Sequence, residues 1–409
     1  MGHVGAYFRR DSATSHLEMA SGARVRPERV KKARSVRLDR QGRALAAVAL
    51  ATALVASTLT ACGSDENHPG AAPPSASPVP GPAGCGGKDK LTAEGSTAQE
   101  NAVTVFNQVW GQYCPGKALA YNATGSGAGR EQFIAGHVDF AGADSPLVAD
   151  QIGPAARRCD GNPAWDLPLV FGPIAIAYNL PGNSSLVLNS DALAKIFTGK
   201  ITTWNDPILG ALNPGVTLPD TGITPIYRTD SSGTTDNVQK YLTAAAPQSW
   251  ARGVGTEFQG GVGEGAEKSA GIVQAVRATP GGIGYVEKGF ADQAGIPYAK
   301  IATRGGVVPL TNDTAGNAVN AAKFLAEGDD LVLDLNAMYA SEAPRAYPLV
   351  LVTYEIVCSK GYDAPTVAAI KSFLTVAASS AQGALSSAGY VPLPDKVRQR
   401  LITAINALQ

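Results

Sequence analysis

Short apolar runs alternate with amphipathic segments from Lys88 to the C-terminus. The runs have the length of strands, and the segments between them have the apolar spacing of helices. This alternation predicts a mainly parallel, open α/β sheet. Two of the runs are long, LPLVFGPIAIAYNL at 167–180 and YPLVLVTYEIV at 347–357. If the chain leaves one domain along the first run and returns along the second, it forms two lobes with a two-stranded hinge and a cleft between them.

These crossovers define the predicted domain organisation. A chain of 409 residues is longer than one ordinary domain, which agrees with two lobes. We predict a signal peptide at 1–61, a lipidated cysteine with a Pro/Ala/Ser-rich tether at 62–87, domain I at 88–168 plus 347–409, and domain II at 169–346.

The N-terminus has the pattern of an export signal. Nine Lys and Arg residues between 24 and 43 precede an uncharged, Ala-rich run at 44–61. A membrane-spanning helix is the alternative, but the run is borderline in length and rich in Ala and Thr. The segment LTACG at 59–63 resembles a lipobox, the bacterial lipoprotein signal in which the cysteine, here Cys62, becomes lipidated. The long stretch before the basic cluster suggests a later start, with Val36 as the candidate.

The charges of the chain separate the signal from the exported part. Lys plus Arg and Asp plus Glu total 34 each, but residues 1–61 carry eleven basic and four acidic residues. The remainder has 23 basic and 30 acidic residues, a net charge of −7. Because nucleic-acid binding depends on Lys and Arg neutralising phosphates, an acidic exported part argues against such a partner.

Cysteine usage agrees with export. Four cysteines follow Cys62, at positions 85, 114, 159 and 358. An even number in an exported chain suggests two disulfides, for which three pairings are possible. We expect Cys85–Cys114 and Cys159–Cys358, because the first pair would bracket one strand–helix unit. A metal site is less well supported, since no two cysteines have ligand spacing and histidine is scarce.

Four segments place hydroxyls, glycines or charges where a strand ends or a helix begins: EGSTAQE at 94–100, TGSGAG at 124–129, AGADSPL at 141–147 and RTDSSGTT at 228–235. Helix N-termini bind tetrahedral anions through unpaired N–H groups, and glycines allow close approach. Thr97 and Glu100 fit a capping box for a helix from Thr97 to about Tyr113. Taken singly, each segment is more often only a cap, and none is a P-loop.

The combination of these segments is similar to the phosphate-binding proteins of the high-affinity phosphate ABC importer, from about Lys90 to the C-terminus. The most specific stretches are IFTGKITTWNDP at 196–207, LNPGVTLPD at 212–220, the 228–235 segment and PGGIGYV at 280–286. The resemblance implies a two-lobed, type II-like periplasmic-binding-protein fold. In this fold two open mixed sheets, flanked by helices, are joined by a two-strand hinge, and phosphate is buried in the cleft.

The resemblance also implies a role for each matching residue. The expected phosphate-binding residues are Thr97, Ala98 through its N–H group, Ser126, Asp144, Arg228, Ser232, Gly233 and Thr234. Asp230 would orient the Arg228 guanidinium. Two positions depart from the family pattern, since an aromatic residue often stands at the position of Ala98 and glycine at that of Ser231.

Asp144 predicts the chemistry of the ligand. A carboxylate beside a buried anion is unfavourable unless the anion carries a proton to donate. An ionised Asp only accepts hydrogen bonds, so it would reward phosphate and penalise sulfate, which carries no proton at neutral pH. The structural alternative is an Asp that caps the turn before Pro146.

We therefore expect a lipid-anchored receptor on the extracellular face of the cell membrane that delivers phosphate to the permease and ATPase subunits of an importer. We expect no enzyme activity, no cofactor and no metal. The alternatives are a secreted phosphatase, a receptor of the same fold for sulfate or molybdate, and a signalling or adhesion role. Only His137 of the four histidines lies in the predicted folded part, which disfavours a phosphatase.

Overall fold

The computed structural model describes residues 84–183, 185–341 and 343–409. These residues lie within one compact unit, Pro74–Gln409. The predicted signal peptide at 1–61, Cys62 and the tether as far as residue 83 lie outside the described residues. In the described ranges, no helix has both the length and the apolar character that a bilayer-spanning segment requires.

The described residues form two sheets and the helices that flank them. The strands are β1 (Lys90–Gly95), β2 (Ala118–Ala123), β3 (Phe140–Ala143), β4 (Ala164–Tyr178), β5 (Val187–Asn189), β6 (Thr224–Arg228), β7 (Glu264–Ala266), β8 (Gly282–Glu287), β9 (Lys300–Thr303), β10 (Gly306–Val308) and β11 (Val350–Cys358). The helices are α1 (Glu100–Tyr113), α2 (Ser126–Ile134), α3 (Ala149–Arg158), α4 (Ser190–Phe197), α5 (Pro207–Leu212), α6 (Gly233–Ala245), α7 (Lys268–Ala278), α8 (Lys288–Ala294), α9 (Asn312–Asn320), α10 (Leu335–Tyr339), α11 (Ala364–Ala378) and α12 (Asp395–Ala407), with a 3-10 helix at Gln382–Ala388.

The large sheet has the strand order β2-β1-β3-β11-β4-β8-β6-β7, and a small sheet has the order β10-β9-β5. β1 is parallel to β2 and β3, and β6 is parallel to β7 and β8. We refer to β1–β3 with their flanking helices as lobe I and to β6–β8 with theirs as lobe II. The predicted two-lobed α/β fold with a two-strand crossover is confirmed, but the strands of both lobes belong to one eight-stranded mixed sheet and not to two separate sheets.

The crossover is made by β4 and β11, which run antiparallel. β11 pairs with β4 from Val350 opposite Pro173 to Cys358 opposite Ala164. From Ile174 onward β4 pairs with β8 of lobe II instead. Nearly all of both strands is buried, which explains why they read as continuous apolar runs. The predicted domain limits at 168/169 and 346/347 stay predictions.

Aromatic side chains pack the helices of lobe I onto its strands. The Phe373 ring of α11 lies edge-on to Trp110, with centroids 5.3 Å apart, and contacts Phe140 of β3 at 5.8 Å. Trp110 also donates a 3.0 Å hydrogen bond to Ser372, so its indole N–H is paired although it is buried. This packing fixes the position of α1, whose N-terminal loop faces lobe II.

Both expected disulfides form. Cys85 is bonded to Cys114, which follows α1, and thereby ties the segment before β1 to the end of that helix. Cys159 is bonded to Cys358 and joins the residue after α3 to the end of β11. The second bond links residues that are 199 positions apart in sequence, so it constrains the unfolded chain more than the first.

The start of α1 differs from the prediction. The helix begins at Glu100, after Gln99, and no side chain caps it. The predicted capping box of Thr97 and Glu100 is therefore wrong. The Thr97 hydroxyl instead lies 2.8 Å from the Ser269 hydroxyl, which belongs to α7 of lobe II. A tertiary contact has replaced the local cap.

Candidate functional site

Asp144 directly follows β3 and is the centre of a buried cluster, with 1% of its surface exposed. Its Oδ1 accepts hydrogen bonds from the hydroxyls of Ser96 at 2.6 Å and Thr353 at 2.7 Å. Its Oδ2 accepts one from Ser126 at 3.1 Å, and Ser126 in turn accepts from the N–H group of Asp144 at 3.0 Å. Three hydroxyls from separate segments thus hold the carboxylate in one orientation.

The surroundings of Asp144 shift its pKa in opposite directions. Burial raises the pKa of Asp144, the hydrogen bonds from Ser96, Thr353 and Ser126 lower it, and the charge of Glu287 raises it, and the net result is a pKa of about 6 compared with 3.8. A pKa near 6 leaves the carboxylate mostly ionised at neutral pH. Asp144 is then a hydrogen-bond acceptor without donor capacity, as the ligand argument requires.

Arg228 ends β6 on the lobe II side and is almost fully buried. Its Nε donates to Asp230 Oδ1 at 2.7 Å, and its Nη2 donates to Asp230 Oδ2. Its Nη1 lies 3.5 Å from the Ser269 hydroxyl. Burial lowers the pKa of Arg228, but Asp230 outweighs burial and the net pKa is raised. The two-point contact holds the guanidinium and leaves the Nη1 edge for another acceptor.

The N-terminus of α6 faces Asp144. Ser232 caps the helix by accepting a 3.2 Å hydrogen bond from the Thr235 N–H group. A side chain at Gly233 would place its Cβ 2.4 Å from Ser126 Oγ and 2.5 Å from Asp144 Cβ. Only glycine lets lobe II come this close to lobe I. The helix N-terminus therefore brings N–H groups against the buried cluster.

Direct hydrogen bonds join the two lobes around this cluster. The Gly127 N–H group donates to the Ser231 carbonyl oxygen at 3.0 Å, and the Asn237 side chain donates to the Asp144 carbonyl oxygen at 2.6 Å. Together with the pair of Thr97 and Ser269, these bonds link three segments of lobe I to α6, α7 and the loop before α6 in lobe II. The lobes are therefore in contact in this structure.

The structure brings the predicted residues into one buried region. Asp144, Ser126 and Gly233 are in contact, and Thr97 and Arg228 both contact Ser269. The N–H group of Ala98, expected to face a ligand, lies 3.0 Å from Ser96 Oγ. Their assignment as phosphate ligands stays a prediction.

Sequence reasoning missed several residues of this region: Ser96, Asn237, Ser269, Glu287 and Thr353. Ser96 and Glu287 had a local signal, since the first lies in the EGSTAQE segment and the second directly follows PGGIGYV. Thr353 had a weaker signal, as a hydroxyl inside the apolar run of β11. Ser269 and Asn237 lie in ordinary helical sequence.

His137 lies outside the cluster. It is exposed in the turn after α2, and its Nδ1 is 2.8 Å from the Gln132 side-chain oxygen. Since the cluster around Asp144 is buried, this histidine takes no part in it.

Comparison with known protein families matches residues 73–381 to the PBP superfamily domain. A phosphate-binding protein, PstS3 of Mycobacterium bovis, is 47% identical over 375 residues, which cover 91% of this chain and 100% of that protein. The phosphate-binding protein PstS of Pasteurella multocida is 30% identical over 293 residues, covering 70% of this chain and 81% of its own length.

Solved structures share the fold at lower identity. A high-affinity periplasmic phosphate-binding protein bound with phosphate, PfluDING, has a TM-score of 0.63 at 22% identity and covers 77% of this chain and 93% of its own. The phosphate-binding protein from Stenotrophomonas maltophilia has a TM-score of 0.60 at 19% identity, with coverages of 77% and 94%. At these identities the likeness shows the fold alone.

Proposed function

Because this chain belongs to the PBP superfamily and, within it, to the phosphate-binding proteins, we propose that it binds inorganic phosphate and delivers it to an ABC importer. The observation that carries the proposal is the buried Asp144 carboxylate, which lies among hydroxyl and N–H donors of both lobes. Donors fit any oxyanion, whereas a fixed acceptor fits only an oxyanion that carries a proton.

The proposed ligand residues come from both lobes. Lobe I would contribute Thr97, the Ala98 N–H group, Ser126 and Asp144. Lobe II would contribute Arg228, Ser232, Gly233 and Thr234, with Asp230 holding the guanidinium. The Ser126 hydroxyl now donates to Asp144, so it must rotate before it can donate to phosphate. The Ser232 hydroxyl accepts from the helix backbone, and its own proton can go to the ligand.

Binding would favour the closed arrangement of the lobes. A ligand that bonds to both lobes stabilises the state in which they meet, because only that state offers all its contacts. The crossover of β4 and β11 is the natural hinge, since these strands connect the two lobes. The closed form would then dock on the permease, with ATP used by a separate subunit.

The test is calorimetric titration of the purified, phosphate-stripped protein with phosphate and then with sulfate. We expect phosphate binding without sulfate binding, and loss of this discrimination in Asp144→Asn. The matched control is Asp166→Asn, another buried acid, whose carboxylate accepts from the Leu147 N–H group rather than from the site hydroxyls. A folded protein that fails to bind phosphate would refute the proposal.

We also propose that the protein is held on the outer face of the membrane by a lipid on Cys62. The LTACG segment and the apolar run before it support this. Mass spectrometry of the mature N-terminus would find a diacylated cysteine at this position. An unmodified Cys62 in the mature protein would refute the anchor but not the receptor function.

We propose that the protein is a receptor and not an enzyme. The exposed His137 is paired with Gln132, and the buried cluster contains no histidine among the described residues. The protein should therefore release no product from a chromogenic phosphate ester. Steady release that is lost in Asp144→Asn would support a phosphatase instead.

A further inference from the structure

A second cluster of polar side chains joins the two lobes beside Asp144, and none of its members is a proposed phosphate-binding residue. We call it the Asp236 cluster, and it consists of Arg130 and Ser145 from lobe I with Asp236 and Lys240 from lobe II. Ser145 directly follows Asp144, and Asp236 and Lys240 both lie on α6. Three of the four residues are buried, and Lys240 is partly exposed.

Asp236 is the point at which the two lobes meet in this cluster. Its Oδ2 accepts a hydrogen bond from the Ser145 hydroxyl of lobe I. The same oxygen lies 2.6 Å from Lys240 Nζ, one turn further along α6, and Oδ1 accepts from the Gly255 N–H group at 2.9 Å. Lys240 and Gly255 belong to lobe II, so they hold the carboxylate whether or not the lobes meet. Only the closed arrangement supplies Ser145.

Arg130 brings a positive charge to the cluster from lobe I. It lies on α2, 5% of its surface is exposed, and its Nη1 donates to the Ser145 carbonyl oxygen at 3.4 Å. Burial lowers the pKa of Arg130, and Asp236 has the largest effect among the charges that oppose this, ahead of Asp166 and Asp144. A buried cation is costly unless a carboxylate lies near it, so the approach of Asp236 favours contact between the lobes.

We propose that the Asp236 cluster is a clasp that holds the lobes together and slows the release of phosphate. The inference rests on the proposed function and assigns a role to residues outside the proposed ligand set. Bonds that exist only in the closed state shift the equilibrium toward closure. Because phosphate enters the open cleft, the clasp acts on the dissociation rate and leaves the association rate nearly unchanged.

The test is Ser145→Ala, which removes the lobe I donor and leaves the lobe II partners of Asp236 in place. The protein is loaded with ³²P-labelled phosphate, and release into an excess of unlabelled phosphate is followed by rapid filtration. Loss of a hydrogen bond to a carboxylate should speed release at least about tenfold. The affinity from calorimetry should fall by the same factor, so that the association rate derived from the two stays within about twofold of the wild type.

The control is Ser249→Ala. Ser249 donates to Asp191, which is paired with Lys195 one turn further along α4 at 2.7 Å. This repeats the hydroxyl, carboxylate and lysine of the Asp236 cluster, but all three residues lie on the lobe II side. The variant should therefore release phosphate like the wild type. Equal release from Ser145→Ala and Ser249→Ala would overturn the inference.

Sulfate titration separates the clasp from the ligand residues, because Ser145 is the neighbour of Asp144 in sequence. If Ser145→Ala acts only through closure, it should bind phosphate more weakly and still not bind sulfate. Sulfate binding by this variant would mean that the substitution acts through Asp144, and it would overturn the inference.

A second variant, Asp236→Asn, covers the case in which Ser145→Ala fails to fold. The amide keeps the shape of the side chain and one acceptor oxygen, but it removes the charge that faces Arg130 of the other lobe. Release should again be faster than from the wild type. An unchanged release rate in Asp236→Asn would overturn the inference and leave the proposed function intact, whereas absence of phosphate binding by the wild type would refute the proposed function itself.

Discussion

Substitution of Glu355 by Gln should change the pH dependence of stability. Glu355 lies in β11 opposite Gly142 of β3 and is buried. Burial raises the pKa of Glu355, a hydrogen bond with Gln99 lowers it, and the charge of Asp144 raises it, and the net result is a pKa of about 8 compared with 4.5. The side chain is therefore mostly protonated at neutral pH. Glu355 Oε2 and Gln99 Oε1 have no hydrogen-bond partner among the described atoms, and a proton on Glu355 would supply the donor that this region needs.

The sign of the effect follows from the direction of the pKa change. The folded state binds the Glu355 proton more tightly than the unfolded state, so the associated stability is fully present below pH 4.5 and is lost as the pH rises through about 8. A pKa change of this size corresponds to a difference of about 5 kcal/mol in the free energy of unfolding. Because the structure relaxes around an ionised side chain, we expect a difference of about 2–5 kcal/mol. Gln has nearly the same shape and cannot ionise.

The assay is urea unfolding of the wild type and of Glu355→Gln at about pH 5, 7 and 9. At pH 9 the variant should be more stable than the wild type by about 2–5 kcal/mol, and the difference should shrink or reverse at pH 5. Glu327→Gln, a fully exposed position, is the control for a charge change alone. Parallel stability curves for Glu355→Gln and the wild type would refute the reasoning, because other titrating groups are common to both.

Two further predictions concern the long-range disulfide and the contact of the lobes. Replacing both Cys159 and Cys358 by Ser should lower the free energy of unfolding by about 4–5 kcal/mol, because the bond spans 199 residues, and urea unfolding with an unchanged midpoint would contradict this. Gly233→Ala should weaken phosphate binding at least about tenfold in calorimetry, because its methyl group would overlap Ser126 and Asp144 and keep the lobes apart. Unfolding of that variant should stay close to wild type, and an unchanged affinity would show that the lobes do not need this contact.

The sequence predicted the strands better than the helix starts. β4 and β11 are long and buried on both faces, so their composition alone marked them as central. The start of α1 could not be predicted, because the Thr97 hydroxyl had a choice between a local cap and a partner 172 residues away. The hydroxyl contacts the distant Ser269, and a capping rule that considers only neighbouring residues cannot predict this contact.

The same distinction separates the site residues that were predicted from those that were missed. Asp144, Ser126 and Gly233 lie at strand ends and helix starts, where small polar residues have a recognisable pattern. Thr353 contacts Asp144 across 209 positions of sequence from the middle of a buried strand. In the sequence, Thr353 has the appearance of an ordinary β-branched strand residue, and its contact with Asp144 is visible only in the folded structure.

The buried charges of the site explain how an acidic protein can receive an anion. The net charge of residues 62–409 is −7, so no overall field attracts a phosphate. Arg228 is a buried cation of the cluster and is already bound to Asp230, while Arg130 of lobe I is a second buried cation that interacts with the Asp144 carboxylate. In the proposed site, most of the favourable contacts would come from uncharged hydroxyl and N–H groups, with the Asp144 carboxylate as an acceptor. Selection in the proposed site would then depend on whether the anion carries a proton that Asp144 can accept in a hydrogen bond.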